Sequence, residues 1–116
     1  MDAALVFSWD SVHPGRNALA RQLARDTEAF WAEHADAGRT SRLVWFANAD
    51  VSRQMNMVKG DSQTLLGISM SPEFQRISMR AGAILTDVKQ SWYFTSESSE
   101  DLWATWWAIA EEIEGA

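Results

Sequence analysis

The chain of 116 residues contains no cysteine. Disulfide bridges and thiolate metal sites are therefore excluded, and a reducing compartment is the expected setting. Histidine occurs twice, as His13 and His34, near opposite ends of one predicted helix. At about 1.5 Å of rise per residue, the two imidazoles lie about 30 Å apart and cannot share an ion within one chain. No metal and no cofactor is expected. Basic residues are few: ten Lys and Arg stand against sixteen Asp and Glu, a net charge of −6 with no basic run. Phosphate neutralisation needs clustered cations, so a nucleic-acid partner is not expected. There is no Gly-x-Ser-x-Gly elbow and no glycine-rich phosphate loop, which argues against a serine hydrolase and a nucleotide site. No apolar run approaches the length of a membrane span. The opening MDAALVFSWD lacks a basic region and reads as a strand, so a soluble, cytoplasmic protein is expected, with no membrane partner.

What is present is apolar and aromatic. Hydrophobic residues make up 47% of the chain, and seven of them are tryptophan, which argues for a packed core over disorder. A length of 116 residues fits one domain, residues 1–116, with a core over residues 3–95. Residues 3–9 alternate, with Leu5, Phe7 and Trp9 on one face. His13-Pro14-Gly15 breaks that strand. Leu19, Leu23, Thr27, Phe30 and His34 then mark one side of a long helix that Gly38 can end. The position of His34 in the last turn suits a positive charge. Residues 41–48 alternate again, and 48–52 read as a hairpin turn into a strand over 53–59. In that strand Met55, Met57 and Lys59 point one way, and Gln54, Asn56 and Val58 the other.

Asp61 and Ser62 offer oxygens to a helix start. Ser71-Pro72-Glu73 repeats the signal, so a break falls near Met70. Phe74, Ile77, Ser78 and Ala81 follow at helical spacing. Gly82 is read as the helix end, and 84–95 as a last strand. The order β-α-β-β-α-β is the split βαβ pattern of an α+β, ferredoxin-like fold with an antiparallel sheet. Right-handed crossovers put both helices on one face. The other face carries apolar residues too, and it needs a cover.

Residues 99–113 read as an extra C-terminal helix, with Ser98 or Ser99 as cap. Leu102, Trp106, Ile109 and Ile113 form one stripe, widened by Trp103 and Ala110, with Trp107 at its edge. Three tryptophans in five residues call for burial, against the sheet, a partner subunit or a pocket.

The Ser71-Pro72-Glu73-Phe74 segment, with Arg80-Ala81 before a strand, resembles the second half of a dimeric α/β-barrel protein. The match covers residues 3–95 as an element pattern. That superfamily includes antibiotic-biosynthesis-type monooxygenases and stress-response proteins. The resemblance implies a homodimer that packs sheet against sheet. Haem-binding members carry a ligating histidine in the second helical region, and residues 61–83 contain none. Cofactor-independent monooxygenases of the superfamily hold an aromatic substrate with Asn, Trp, Tyr and Arg in an apolar pocket. This chain has those residue types, but no catalytic residue carries over by position.

The candidate ligand-binding residues are Trp9, His13, Trp45, Asn48, Arg53 and Trp92, with Tyr93, Phe94, Asn56 and Gln90 as neighbours. His13 is either a general base or an ordinary turn residue. The aromatics are either core or the lining of a cleft between helices and sheet that takes a small apolar or aromatic ligand. Two functions remain open: small-ligand binding, or a cofactor-independent monooxygenase acting on an aromatic substrate. Fold alone does not choose.

Overall fold

The computed structural model describes residues 1–95 and 100–115. Its elements are β1 (Ala3–Trp9), α1 (Asn17–Asp36), β2 (Val44–Ala47), β3 (Gln54–Gly60), α2 (Ser62–Ser69), α3 (Pro72–Ile84), β4 (Lys89–Phe94) and α4 (Glu100–Gly115). The four strands form one antiparallel sheet in the order β2-β3-β1-β4. None of the described helices is long and apolar enough to cross a membrane.

Local chemistry explains most boundaries. The α1 helix ends on Ala37, and Gly38 follows with φ +75°. Its N–H donates to the Ala35 carbonyl, and the next N–H, of Arg39, donates to that of His34. This double closure needs a left-handed residue, which glycine supplies without a Cβ penalty. Ser71 caps α3 by accepting from the Phe74 N–H at 3.3 Å, and Pro72 sits at the first turn. The cap expected for α2 differs. Asp61 holds the N-cap position but makes no side-chain cap bond. Instead Asp2, beside β1, accepts from the Ser62 N–H at 2.7 Å. That bond, first among the causes, lowers the Asp2 carboxyl pKa.

Two expectations need correction, and a third narrows. Gly82 does not end α3, which continues to Ile84. The last strand is shorter than residues 84–95: β4 begins at Lys89, because Thr86 and Asp87 turn the chain and Asp87 takes φ +50°. The C-terminal helix does not bury its stripe within the chain. Trp103 is 56% exposed and Trp107 63%, and Trp106, Ile109 and Ile113 are also exposed. The tryptophans pack edge to face on one another, at 4.9 Å between the rings of Trp106 and Trp107. No substantial interface forms between α4 and the other described elements. The expected caps Ser98 and Ser99, and the side chain of Leu102, lie outside the described residues. The radius of gyration, 17.0 Å, exceeds the roughly 13 Å usual at this length, because α4 stands away from the rest.

The core lies between the helices and one sheet face. Ala3, Leu5, Val58, Trp31, Leu65, Ile68 and Phe74 form one cluster, and Trp9, Leu23, Ala81, Ile84 and Leu85 a second. Ala81 is almost fully buried, which lets α3 approach α1, and Arg80 beside it reaches Asp26 of α1 at 2.9 Å. The Arg80-Ala81 pair thus has a packing reason. The opposite face carries Ala4, Val6 and Ser8 of β1. In register beside them lie Met55, Met57 and Lys59 of β3 and Lys89, Ser91 and Tyr93 of β4. Val44 and Phe46 of β2 complete it and are exposed. No described helix packs on this face.

Candidate functional site

The pleat divides the expected site residues between the two faces of the sheet. Trp9, Trp45 and Trp92 sit on the helix side, at odd positions of β1 and β2 and an even position of β4. Trp9 and Trp45 meet edge to face at 6.1 Å and line an open groove of about 360 Å³ with Ala20, Ala24 and Gln54. The Trp45 indole N–H donates to Glu28 at 2.6 Å. Trp92 pairs in register with Leu5 and is part-exposed near the sheet edge, away from that groove.

Asn48 and Arg53 belong to the other face. They edge a depression of about 460 Å³ lined mainly by Val6, Phe46, Met55 and Tyr93. Both have structural work there. Asn48 staples the β2–β3 turn: its side-chain oxygen accepts from the Arg53 N–H and its NH2 donates to Ser52. The Arg53 guanidinium donates to Asp10, to Asp87 at 2.9 Å and to Ser8 at 3.0 Å. The bond from Arg53 is the first cause, and the charge of Lys89 the second, that lowers the Asp87 carboxyl pKa. This cluster fixes Asp87 in its left-handed conformation, which aspartate tolerates better than most residues. The guanidinium therefore spends its donors on the fold before any ligand arrives.

His13 lines none of these hollows. Its backbone N–H donates to the Ile84 carbonyl, which ties the β1–α1 loop to α3, and its own carbonyl accepts from the Arg16 N–H within the loop. His34 is also not the cation that its place in α1 suggested. Its Nδ1 accepts from the Arg39 guanidinium at 2.8 Å, and its ring packs on Phe30 and Trp31. Burial first, and the Arg39 charge second, hold its pKa below the usual histidine value.

A third hollow lies where a ligand was expected, between helices and sheet. It is lined by Phe7, Trp31, Phe74, Ile77, Asn56 and Ser78 among others, and its volume is about 30 Å³. Apolar side chains make most of the wall. Thr27 is already bonded, its hydroxyl donating to the Leu23 carbonyl at 2.7 Å. Ser78 Oγ is buried with no hydrogen-bond partner among the described residues. Asn56, 7% exposed, faces the same space from β3. Buried polar groups are nearly always paired, so the unpaired Ser78 hydroxyl marks this hollow as the place for a further partner. The alternation of β3 already set Asn56 beside Val58. The Ser78 side of the site needed the helix-to-sheet placement, which no local pattern gives. Among the described residues no cluster of three or more His, Asp or Glu could hold a metal ion.

No protein-family model matches the chain, and no curated protein matches it by sequence. Solved structures match by fold. SnoaB of Streptomyces nogalater, described as a cofactor-independent oxygenase, aligns with a TM-score of 0.63 at 16% identity, over 82% of this chain and 94% of its own. Rv0793 of Mycobacterium tuberculosis gives 0.63 at 16% identity, over 80% and 93%. A hydroxynitrile lyase of Passiflora edulis gives 0.59 at 8% identity, over 81% and 94%. The chain therefore shares its α+β fold with these proteins. An oxygenase and a lyase on one fold show that the fold does not choose the reaction.

Proposed function

We propose that this chain is a homodimeric small-molecule-binding protein that takes an apolar or aromatic ligand between its helices and sheet. The observation that carries the reading is the buried, unpartnered Ser78 hydroxyl, which shares one apolar hollow with Asn56. A donor–acceptor amide and a hydroxyl orient a polar substituent, while Phe7, Trp31 and Phe74 pack on a ring. At about 30 Å³ the hollow has room for one water. A ring therefore enters by displacing side chains such as Phe7 and Ile77. The dimer forms through the uncovered sheet face, where exposed Val44, Phe46 and Tyr93 surround Met55 and Met57. An interface of this type buries more than roughly 2,000 Å² in total.

Titration with hydroxylated aromatic compounds tests the reading, followed by thermal shift and by the fluorescence of Trp31. We expect saturable stabilisation that Asn56→Ala removes while the unliganded protein stays folded. Equal stabilisation of the variant overturns the site. A second reading, a cofactor-independent oxygenase, is favoured by the fold shared with SnoaB and by the amide donor in the hollow, which can hold a developing oxyanion. Oxygen uptake that depends on a bound aromatic, with no added cofactor, selects it. Binding without uptake selects the non-enzymatic reading.

A further inference from the structure

We infer that α4 is an exchanged arm that seats its tryptophan face in a groove along α1 and β2 of a second copy of this chain. The inference rests on the dimer reading above and goes beyond it. Three features of the molecule carry it.

The first is the arm. On a helical wheel, Trp103, Trp106, Trp107, Ile109, Ala110 and Ile113 fall on one side of α4, and the described chain offers them no cover. Glu100, Asp101, Glu111, Glu112 and Glu114 are its only charges, and it carries no basic residue. An anionic membrane surface repels such a helix, since interfacial helices depend on Lys and Arg.

The second is the groove. Two open depressions, of about 360 and 430 Å³, share Ala24 and Trp45. They run along α1 from Ala20 to Ala32, about 18 Å at helical rise. The apolar stretch of α4, Trp103 to Ile113, spans about 15 Å by the same measure. The small side chains Ala20, Ala24, Ala29 and Ala32 leave room for indole rings beside Trp45, which is 40% exposed. Arg21 and Arg25 flank it, and neither is paired with a carboxylate among the described residues. The acidic ends of α4 complement them. Glu28 also lines the groove, but its carboxylate accepts from Trp45.

The third is the topology. The groove lies at the β2 edge, whereas α4 leaves from β4, the opposite edge of the sheet. Three strand spacings, about 14 Å, and the bodies of α1 and α3 separate an arm from its own groove. Packing two sheets about a two-fold axis along the strands sets each β4 edge opposite the partner's β2 edge. Each arm then continues from the sheet interface onto the partner's outer side. The exchange is reciprocal, as a two-fold assembly requires.

The absence of cysteine makes the test clean. Ala32→Cys and Ala110→Cys are prepared as separate single variants of the full chain, mixed at micromolar concentration and oxidised. We expect the mixed disulfide between the two chains to form at least tenfold faster than either like pair. The double variant should cross-link between chains and not within one. A closed ring within a single chain overturns the exchange, because α4 then covers its own groove. A dimer mass without the mixed cross-link overturns the arm and leaves the sheet dimer standing. A monomer mass for the full chain removes both readings. As a second readout, Trp106→Asp should weaken dimerisation at least tenfold with the fold of a single chain intact. An unchanged dimerisation constant overturns the proposal.

Discussion

Two amphipathic helices of this chain, α3 and α4, carry similar patterns and meet opposite fates. In α3, Phe74, Ala81 and Ile84 are buried against α1 and the sheet. In α4, every described large apolar side chain is more than half exposed. Periodicity defines a face on both. It says nothing about what covers the face, because that depends on where the connections carry the helix. The α3 helix follows α2 back across the sheet and meets α1. The α4 helix starts at an edge strand, with the helix side already filled. The two sheet faces repeat the contrast: one is packed on α1 and α3, the other presents Val44, Phe46 and Tyr93 to solvent.

That contrast predicts a large asymmetry between two aromatic truncations. Phe74→Ala should cost about 3–5 kcal/mol, from lost transfer energy and the cavity left behind. Trp106→Ala should cost under about 1 kcal/mol when unfolding is followed by denaturant at concentrations low enough to keep chains apart. Equal costs would mean that α4 packs on its own chain. A chain ending at residue 97 sharpens the same comparison: at the same low concentration it should unfold with nearly the full chain's midpoint.

A smaller effect compares two left-handed residues. Gly38 sits at φ +75° and Val51, in the β2–β3 turn, at φ +57°. Glycine is at ease there and a β-branched residue is not. Gly38→Ala should lose about 1 kcal/mol, and Val51→Gly should gain up to about 1 kcal/mol, both read from the denaturation midpoint. A loss at both positions would contradict the backbone argument at Val51.

The smallest effect is electrostatic. His34 has a folded pKa below its unfolded value, through burial and then Arg39. Above pH 6.5 the ring is neutral in both states and costs nothing. As pH falls below 6.5 the unfolded chain takes up the proton first, so stability declines until the folded pKa is passed. His34→Gln should flatten the decline just below pH 6.5 without touching the acid unfolding due to Asp26 and Asp87, whose pKa values are lowered by the bonds from Gln22 and Arg53 respectively. An unchanged slope in the variant would remove His34 as its source.

The fold was legible because its local signals agree. The alternation of β3, the Ser71-Pro72 cap and the Gly38 stop each have one cheap structural solution, and these place the strands and helices in order. The candidate site was legible in part. Parity put Trp9 and Trp45 on the helix side, but Asn48 and Arg53 carry polar atoms that the β2–β3 turn and the Asp10–Asp87 cluster consume. A sequence lists such groups without showing who bonds them. Ser78 is the reverse case. It looked like an ordinary helical position, and only the absence of a partner distinguishes it.

The central claim is that apolar surface left open in one chain is closed by another. Light scattering of the full chain at micromolar concentration tests it most directly. With a chain mass of 13.1 kDa, the account predicts twice that, about 26 kDa. A mass of 13.1 kDa across that range would contradict it.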